Sequence, residues 1–169
     1  MTELIENLDT VQETDVTLNV NGQTWQGSIP VEETLLDCLR RRVALTGTKR
    51  GCESEVCGAC TVLVDGVPIS SCSYLAFEAD GKQVLTVEGL ATGEELHPLQ
   101  AAFARNGAAQ CGYCTPGQLM AAYALLQAHA DPTYEQMGHF LDGNVCRCGC
   151  YPSIATAIRE AAAALRTTR

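Results

Sequence analysis

From Asp15 the chain alternates. Val16, Leu18 and Val20 are apolar and their neighbours polar, which is the two-residue period of a half-buried strand. Asn21-Gly22 is a two-residue hairpin turn, and Thr24-Trp25-Gln26 resumes as the returning strand with Trp25 as a packing residue. Over residues 30–43 the period becomes helical: Leu35, Leu36, Leu39 and Val43 share a face, and Arg40, Arg41 and Arg42 fill the last turn, where cations suit the helix dipole. Thr61-Val62-Leu63-Val64 predicts a strand, Asp65-Gly66 a turn, residues 67–71 the return, and residues 83–87 one more short strand. Beyond residue 93 the two-residue period disappears. A helix is predicted over 98–106, stopped by Gly107. A second opens with Thr115 as N-cap, Pro116 as its first residue and Gln118 closing a capping box, and carries Leu119, Met120, Tyr123, Leu126 and Ala130 at helical spacing. Asp131-Pro132 breaks it, Thr133 and Gln136 start a third helix by the same box, and residues 152–165 form a fourth.

The elements predict an α+β chain in two units. A strand-rich unit occupies 14–93, an all-α unit of four bundled helices occupies 94–169, and residues 1–13 read as a flexible acidic tail. Composition is that of a globular chain, with 46% hydrophobic and 18% charged residues. A formal net charge of −9 argues against nucleic acid or an anionic membrane as the main partner. No apolar run approaches the length of a membrane span, and the acidic opening Met1-Thr2-Glu3-Leu4-Ile5-Glu6 lacks the pattern of a secretory signal. The expectation is a cytoplasmic protein whose thiols stay reduced.

That matters because the sequence contains ten cysteines. Cys52, Cys57 and Cys60 have the spacing C-x4-C-x2-C, and Cys72 follows after eleven intervening residues. This is the plant-type [2Fe–2S] spacing, in which a tight loop supplies most ligands and a separate segment closes the site. Gly51, Gly58 and Ala59 are small and would let backbone N–H groups approach the sulfurs. In the helical half, Cys111-Gly112-Tyr113-Cys114 and Cys146-Arg147-Cys148 offer four more thiolates. The C-x2-C lies just ahead of a helix N-terminus, and a C-x-C in extended backbone would aim both side chains the same way. By itself this second set suits a structural zinc ion as well as a cluster. Cys38, inside the first predicted helix, reads as a small buried hydrophobe, and Cys150 as a structural or free thiol.

The motifs Gly51-Cys52 through Val62, Gln110-Cys111-Gly112-Tyr113-Cys114-Thr115-Pro116-Gly117 and Gly143-Asn144-Val145-Cys146-Arg147-Cys148 together resemble the iron–sulfur subunit of the molybdenum hydroxylases. That family includes xanthine dehydrogenase, aldehyde oxidoreductase, aerobic carbon monoxide dehydrogenase and the quinoline and isoquinoline oxidoreductases. The resemblance implies a β-grasp ferredoxin-like domain followed by a four-helix-bundle domain. It implies two [2Fe–2S] clusters, one on Cys52, Cys57, Cys60 and Cys72, the other on Cys111, Cys114, Cys146 and Cys148. It further implies a large partner subunit carrying molybdopterin, in bacteria usually the cytosine dinucleotide, a medium subunit carrying FAD, and a dimer of heterotrimers. Gln110 and Cys148 match positions close to the pterin. Electrons would pass from molybdenum through the helical-domain cluster and then the other cluster to FAD, during hydroxylation of an N-heteroaromatic compound or aldehyde, or oxidation of carbon monoxide. Glu55 and Cys150 depart from the family pattern, standing where relatives commonly have small residues.

The chain offers no paired general acid and base, no nucleophile with its base and no phosphate loop, so substrate chemistry is assigned elsewhere. His97, His129 and His139 are scattered and read as helix-surface or capping residues. Two other readings fit the same cysteines: a free-standing two-cluster ferredoxin, and a structural zinc-binding interaction module.

Overall fold

The computed structural model describes residues 11–167. Most of the expected tail therefore lies outside the described residues, and Glu13 already belongs to the first strand. Strands β1 (Glu13–Val20) and β2 (Gln23–Pro30) form the expected antiparallel hairpin, with Glu13 opposite Pro30 and Val20 opposite Gln23. Asn21 and Gly22 turn it with φ of 52° and 78°, the two left-handed residues such a tight hairpin needs. β3 (Thr61–Val64) and β4 (Val67–Ser70) make a second hairpin around Asp65 and Gly66, and β5 (Gln83–Leu85) lies between the hairpins. The sheet order is β2-β1-β5-β3-β4, with β1 and β5 parallel and the other pairs antiparallel. β5 is shorter than the sequence suggests, because the chain coils into a 3-10 turn over Val87–Leu90.

The first helix is also shorter than expected. Pro30 is still paired in β2, and the helix starts only at Leu35, where the Thr34 hydroxyl accepts from the Asp37 amide at 3.2 Å. After a single α turn, α1 (Leu35–Asp37), the backbone widens into a π turn over Cys38–Arg42, closed by Val43 N–H donating to Cys38 O at 3.0 Å. Leu35, Cys38 and Leu39 still face inward and pack on Val16, Leu18, Val20, Ile29, Val62 and Val84 of the sheet. The arginines lie on the outer rim, Arg41 paired with Asp37 and Arg42 with Glu33.

The second half contains α2 (Pro98–Arg105), α3 (Thr115–Ala128), α4 (Tyr134–Leu141) and α5 (Tyr151–Thr167). α2 is capped by His97, whose Nδ1 accepts from Leu99 N–H at 3.2 Å, and α4 by the expected Thr133–Gln136 box. α3 departs from its predicted form. It is not a one-sided amphipathic helix: Leu119, Met120, Ala121, Ala122, Ala124, Leu125 and Leu126 are all buried. A helix apolar on every side is one enclosed by neighbours. Here α3 packs against β3 and β4, the 3-10 turn over Val87–Leu90, α2 and α4. The four residues of β3 are all buried, Val62 and Val64 in the sheet core under α1, and Leu63 in the helical core. The two halves thus share one strand. Among the described residues no helix is long and apolar enough to cross a membrane.

Candidate metal centres

The loop before β3 is folded tightly by left-handed residues, with φ of 58° at Glu53, 60° at Glu55 and 64° at Gly58. This coils the chain around Cys52, whose Sγ accepts from Ser54 N–H at 3.5 Å and Cys57 N–H at 3.4 Å. Those two amides pull the Cys52 thiol down to about 6. Arg50 pins the loop to α1, pairing with Asp37 at 2.5 Å and Glu53 at 2.7 Å. Partial burial works against the Asp37 carboxylate, but hydrogen bonds from Arg50 and Thr34 and the charges of Arg50 and Arg41 together hold it below the usual carboxylate range. Cys60 and Cys72 sit deeper, against Leu36. Ser71, the neighbour of Cys72, donates its hydroxyl to Cys60 O at 2.7 Å and so brings the distant fourth thiol alongside. Burial pushes the Cys60 thiol up to about 11. At Gly51 a Cβ would lie 2.7 Å from Cys57 Sγ, so glycine there makes room for a sulfur.

In the helical half, Gly112 at φ 78° turns Cys111-Gly112-Tyr113-Cys114 into the start of α3. Cys114 is already helical and occupies the N-cap without a side-chain bond; Thr115 is inside the helix, and its hydroxyl is buried without a partner. The predicted Thr115 cap is therefore corrected, and Gln118, instead of boxing it, donates Nε2–H to Asn144 O at 2.7 Å. The C-x-C segment is not extended either. Cys146 O accepts from Gly149 N–H at 3.1 Å, closing a turn over Arg147 and Cys148. Cys146 Sγ accepts from Cys150 N–H at 3.4 Å, and the Cys146 amide donates to Tyr151 Oη at 2.8 Å. Burial opposes ionisation of Cys146, but the Cys150 amide and neighbouring donors outweigh it and bring the thiol below its ordinary value. Burial raises Cys114 to about 12, whereas the Tyr113 amide lowers Cys111.

The thiols of each set lie close to one another. Cys148 Sγ is 3.5 Å from Cys111 Sγ, and the side chains of Cys114 and Cys146 interact, as do Cys52 with Cys57 and Cys60 with Cys72. Among the described residues no three His, Cys, Asp or Glu side chains converge as they would on one metal ion. Four thiols per site, with N–H groups aimed at Cys52 and Cys146, fit a cluster held by four thiolates. Gln110, beside Cys111, is exposed, and Cys148 is half-buried. His97 caps a helix, His129 pairs with Gln136 at 3.1 Å, and His139 stacks edge-on to Phe140; none belongs to either cysteine set.

What the sequence reading lacked was the join between the sites. Asn144 Nδ2 donates to Gly58 O at 2.9 Å and Thr61 Oγ1 at 3.2 Å, and Val145 N–H donates to Cys57 O at 2.9 Å. Tyr113 also donates its hydroxyl to Arg50 O. The backbones approach so closely that a Cβ on Gly117 would lie 2.0 Å from Gly58 O, and one on Gly58 would lie 2.3 Å from Gly143 O. Gly58 thus makes room for the other cysteine loop, a role different from the expected approach of amides to sulfur. A polar side chain immediately ahead of a ligand motif, as in Gly143-Asn144-Val145-Cys146, was the one available hint.

Two iron–sulfur domain families match the chain. Residues 18–90 match the family described as 2Fe-2S iron-sulfur cluster binding domain, and residues 86–159 match the [2Fe-2S] binding domain. The nicotine 6-hydroxylase small subunit of Paenarthrobacter nicotinovorans is 47% identical over 87% of this chain and 88% of its own. The aldehyde oxidoreductase iron-sulfur-binding subunit of Escherichia coli K12 is 40% identical over 90% of this chain and 73% of its own. A chain of the quinoline 2-oxidoreductase structure from Pseudomonas putida 86 superposes with a TM-score of 0.88 at 42% identity, covering 92% of this chain and 98% of that one. With both iron–sulfur domains in this order, and with separate small subunits matched over most of their length, the chain belongs to the iron–sulfur subunits of the molybdenum hydroxylase family and is an oxidoreductase subunit.

Proposed function

We propose that this chain relays electrons between a molybdopterin centre on a large partner subunit and FAD on a medium one, within a dimer of heterotrimers. In this reading residues 14–93 form a β-grasp ferredoxin-like domain and 94–169 a four-helix-bundle domain. Cys111, Cys114, Cys146 and Cys148 hold the cluster on the pterin side, with Gln110 and Cys148 nearest the pterin, and Cys52, Cys57, Cys60 and Cys72 hold the cluster on the flavin side. A [2Fe–2S] cluster takes up and gives back single electrons without making or breaking substrate bonds. What the protein adds is placement and tuning.

The observation that carries the reading is the bonding of the two cysteine loops to each other. Val145 N–H to Cys57 O and Asn144 to Gly58 O fix one thiol set against the other, as a relay requires and two independent structural metal sites would not. Eight cysteines acting as cluster thiolates suit a reducing compartment such as the cytoplasm. The names of the relatives support an N-heteroaromatic compound or an aldehyde as the substrate of the whole enzyme, selected on the large subunit.

The test is low-temperature EPR of the dithionite-reduced, natively purified protein, with metals quantified on the same sample. The expected result is two distinct S = 1/2 signals, about four irons per chain, and copurification with larger flavin- and molybdenum-containing chains. Purification alone with both signals would mean a free ferredoxin. Zinc in place of iron would end the electron-transfer reading.

A further inference from the structure

Among the buried residues of α3, Gln118 is the one with a polar side chain, and it is fully enclosed. A side-chain amide is costly to bury unless it is bonded, so its partner fixes its place. Its Nε2–H donates to Asn144 O at 2.7 Å, and its backbone N–H donates to Cys114 O at 3.0 Å, one turn earlier in the helix. The Asn144 carbonyl shares a peptide bond with the Val145 N–H, and in a trans peptide the two groups point in opposite directions. Gln118 therefore holds one end of that peptide, and Cys57 O, 2.9 Å from Val145 N, holds the other. From the same residue the Asn144 side chain reaches Gly58 O and Thr61 Oγ1. A continuous path of bonds thus runs from the helix capped by Cys114, through the residues just ahead of Cys146, to the loop that carries Cys57.

We propose that Gln118 is a positioning residue for electron transfer between the two cysteine sets: by holding the Asn144–Val145 peptide, it sets the spacing of the clusters they carry. The inference rests on the two-cluster relay and adds to it a residue that is no ligand. Electron transfer between two centres slows exponentially with their separation, so the protein's part in a relay is to hold that separation constant. Were this peptide free to turn, the Val145 N–H would leave Cys57 and the Asn144 side chain would swing away from Gly58. Methionine or leucine would fill the same space in α3 but could not donate to the Asn144 carbonyl. A neutral amide donates there without bringing a buried charge between two sets of thiolates.

The experiment is low-temperature EPR of the fully reduced holoenzyme carrying wild-type chain, Gln118→Met or Leu125→Ala. With both clusters paramagnetic, each splits the other's signal, and the splitting falls with the inverse cube of their separation. Gln118→Met should keep both signals and the wild-type iron content, while the splitting narrows and loses resolution. Leu125 is fully buried in the same helix, so its truncation leaves a cavity in the helical core and should lower the melting temperature at least as much. Leu125→Ala should nevertheless leave the splitting as in wild type. A wild-type splitting in Gln118→Met overturns the proposal, as does an equal change in both variants. Should the methionine variant lose iron, Gln118→Asn, whose shorter amide weakens the same bond, is judged by the same splitting, and an unchanged value there overturns the proposal. Wild-type enzyme with two signals that do not split each other overturns the close spacing on which this inference depends and leaves the relay standing. Wild-type enzyme without two iron signals overturns the relay itself.

Discussion

Gly58 and Gly22 both have left-handed backbones, but for different reasons. At Gly22, φ 78°, a Cβ would meet nothing within 4 Å, so alanine there should cost only the backbone penalty of about 1–2 kcal/mol. At Gly58, φ 64°, the same methyl would also run into Gly143 O and Asn144. Gly58→Ala should therefore lower the melting temperature more than Gly22→Ala and, by prising the loops apart, should also lower iron per chain. Equal effects would mean the close approach has no energetic weight. His97 gives a pH prediction at the same scale. Burial depresses its pKa below 6.5, and its neutral Nδ1 caps α2. The unfolded chain binds the proton more readily, so stability from this residue is fully present above about 6.5 and is lost as pH falls through the depressed folded value. His97→Asn, which keeps a capping acceptor but does not titrate, should flatten the stability profile below about pH 6.5 relative to wild type.

Among the elements, two threonines look identical as text and act differently in the fold. Thr133 caps α4 in a reciprocal box with Gln136, and Thr133→Ala should cost about 1 kcal/mol in chemical denaturation. Thr115 resembles a cap, yet its hydroxyl is buried and unpartnered, so Thr115→Val should be neutral or stabilising. A loss in Thr115→Val matching that of Thr133→Ala would contradict this account. The difference arises because Cys114, drawn into the second thiol set, takes helical backbone angles and moves the helix start back one residue. α3 carries the same lesson. Its apolar residues were legible as a helix, but its burial on every side comes from the strands and helices packed around it, which no periodicity within α3 encodes.

For the whole molecule, Asn144 is a side chain that ties the halves, bonding to Gly58 and Thr61 across 86 and 83 residues of chain. Asn144→Ala should cost about 1–3 kcal/mol in thermal unfolding, the range for a lost buried hydrogen-bonding group. Combined with Thr61→Ala, the loss should be less than the sum of the two single losses, because the pair shares one contact. Additive losses would show that the two residues act independently.

The sequence by itself determined what depends on short reach. Both hairpins, the Thr133 cap and both cysteine motifs were legible, because each is decided by residues a few positions apart whose spacing fixes their geometry. The Cys52 loop is of this kind: its amides reach its own sulfur within five residues. The tertiary structure alone decided how the thiols pair across loops, why Gly58 and Gly117 have no side chain, and that Asn144 joins the two sites. Cys148 meets Cys111 across 37 residues, and Val145 meets Cys57 where β3 of the sheet packs against α3. Such contacts are set by how whole elements stack, and stacking is a property of the assembled core that no local window of sequence contains.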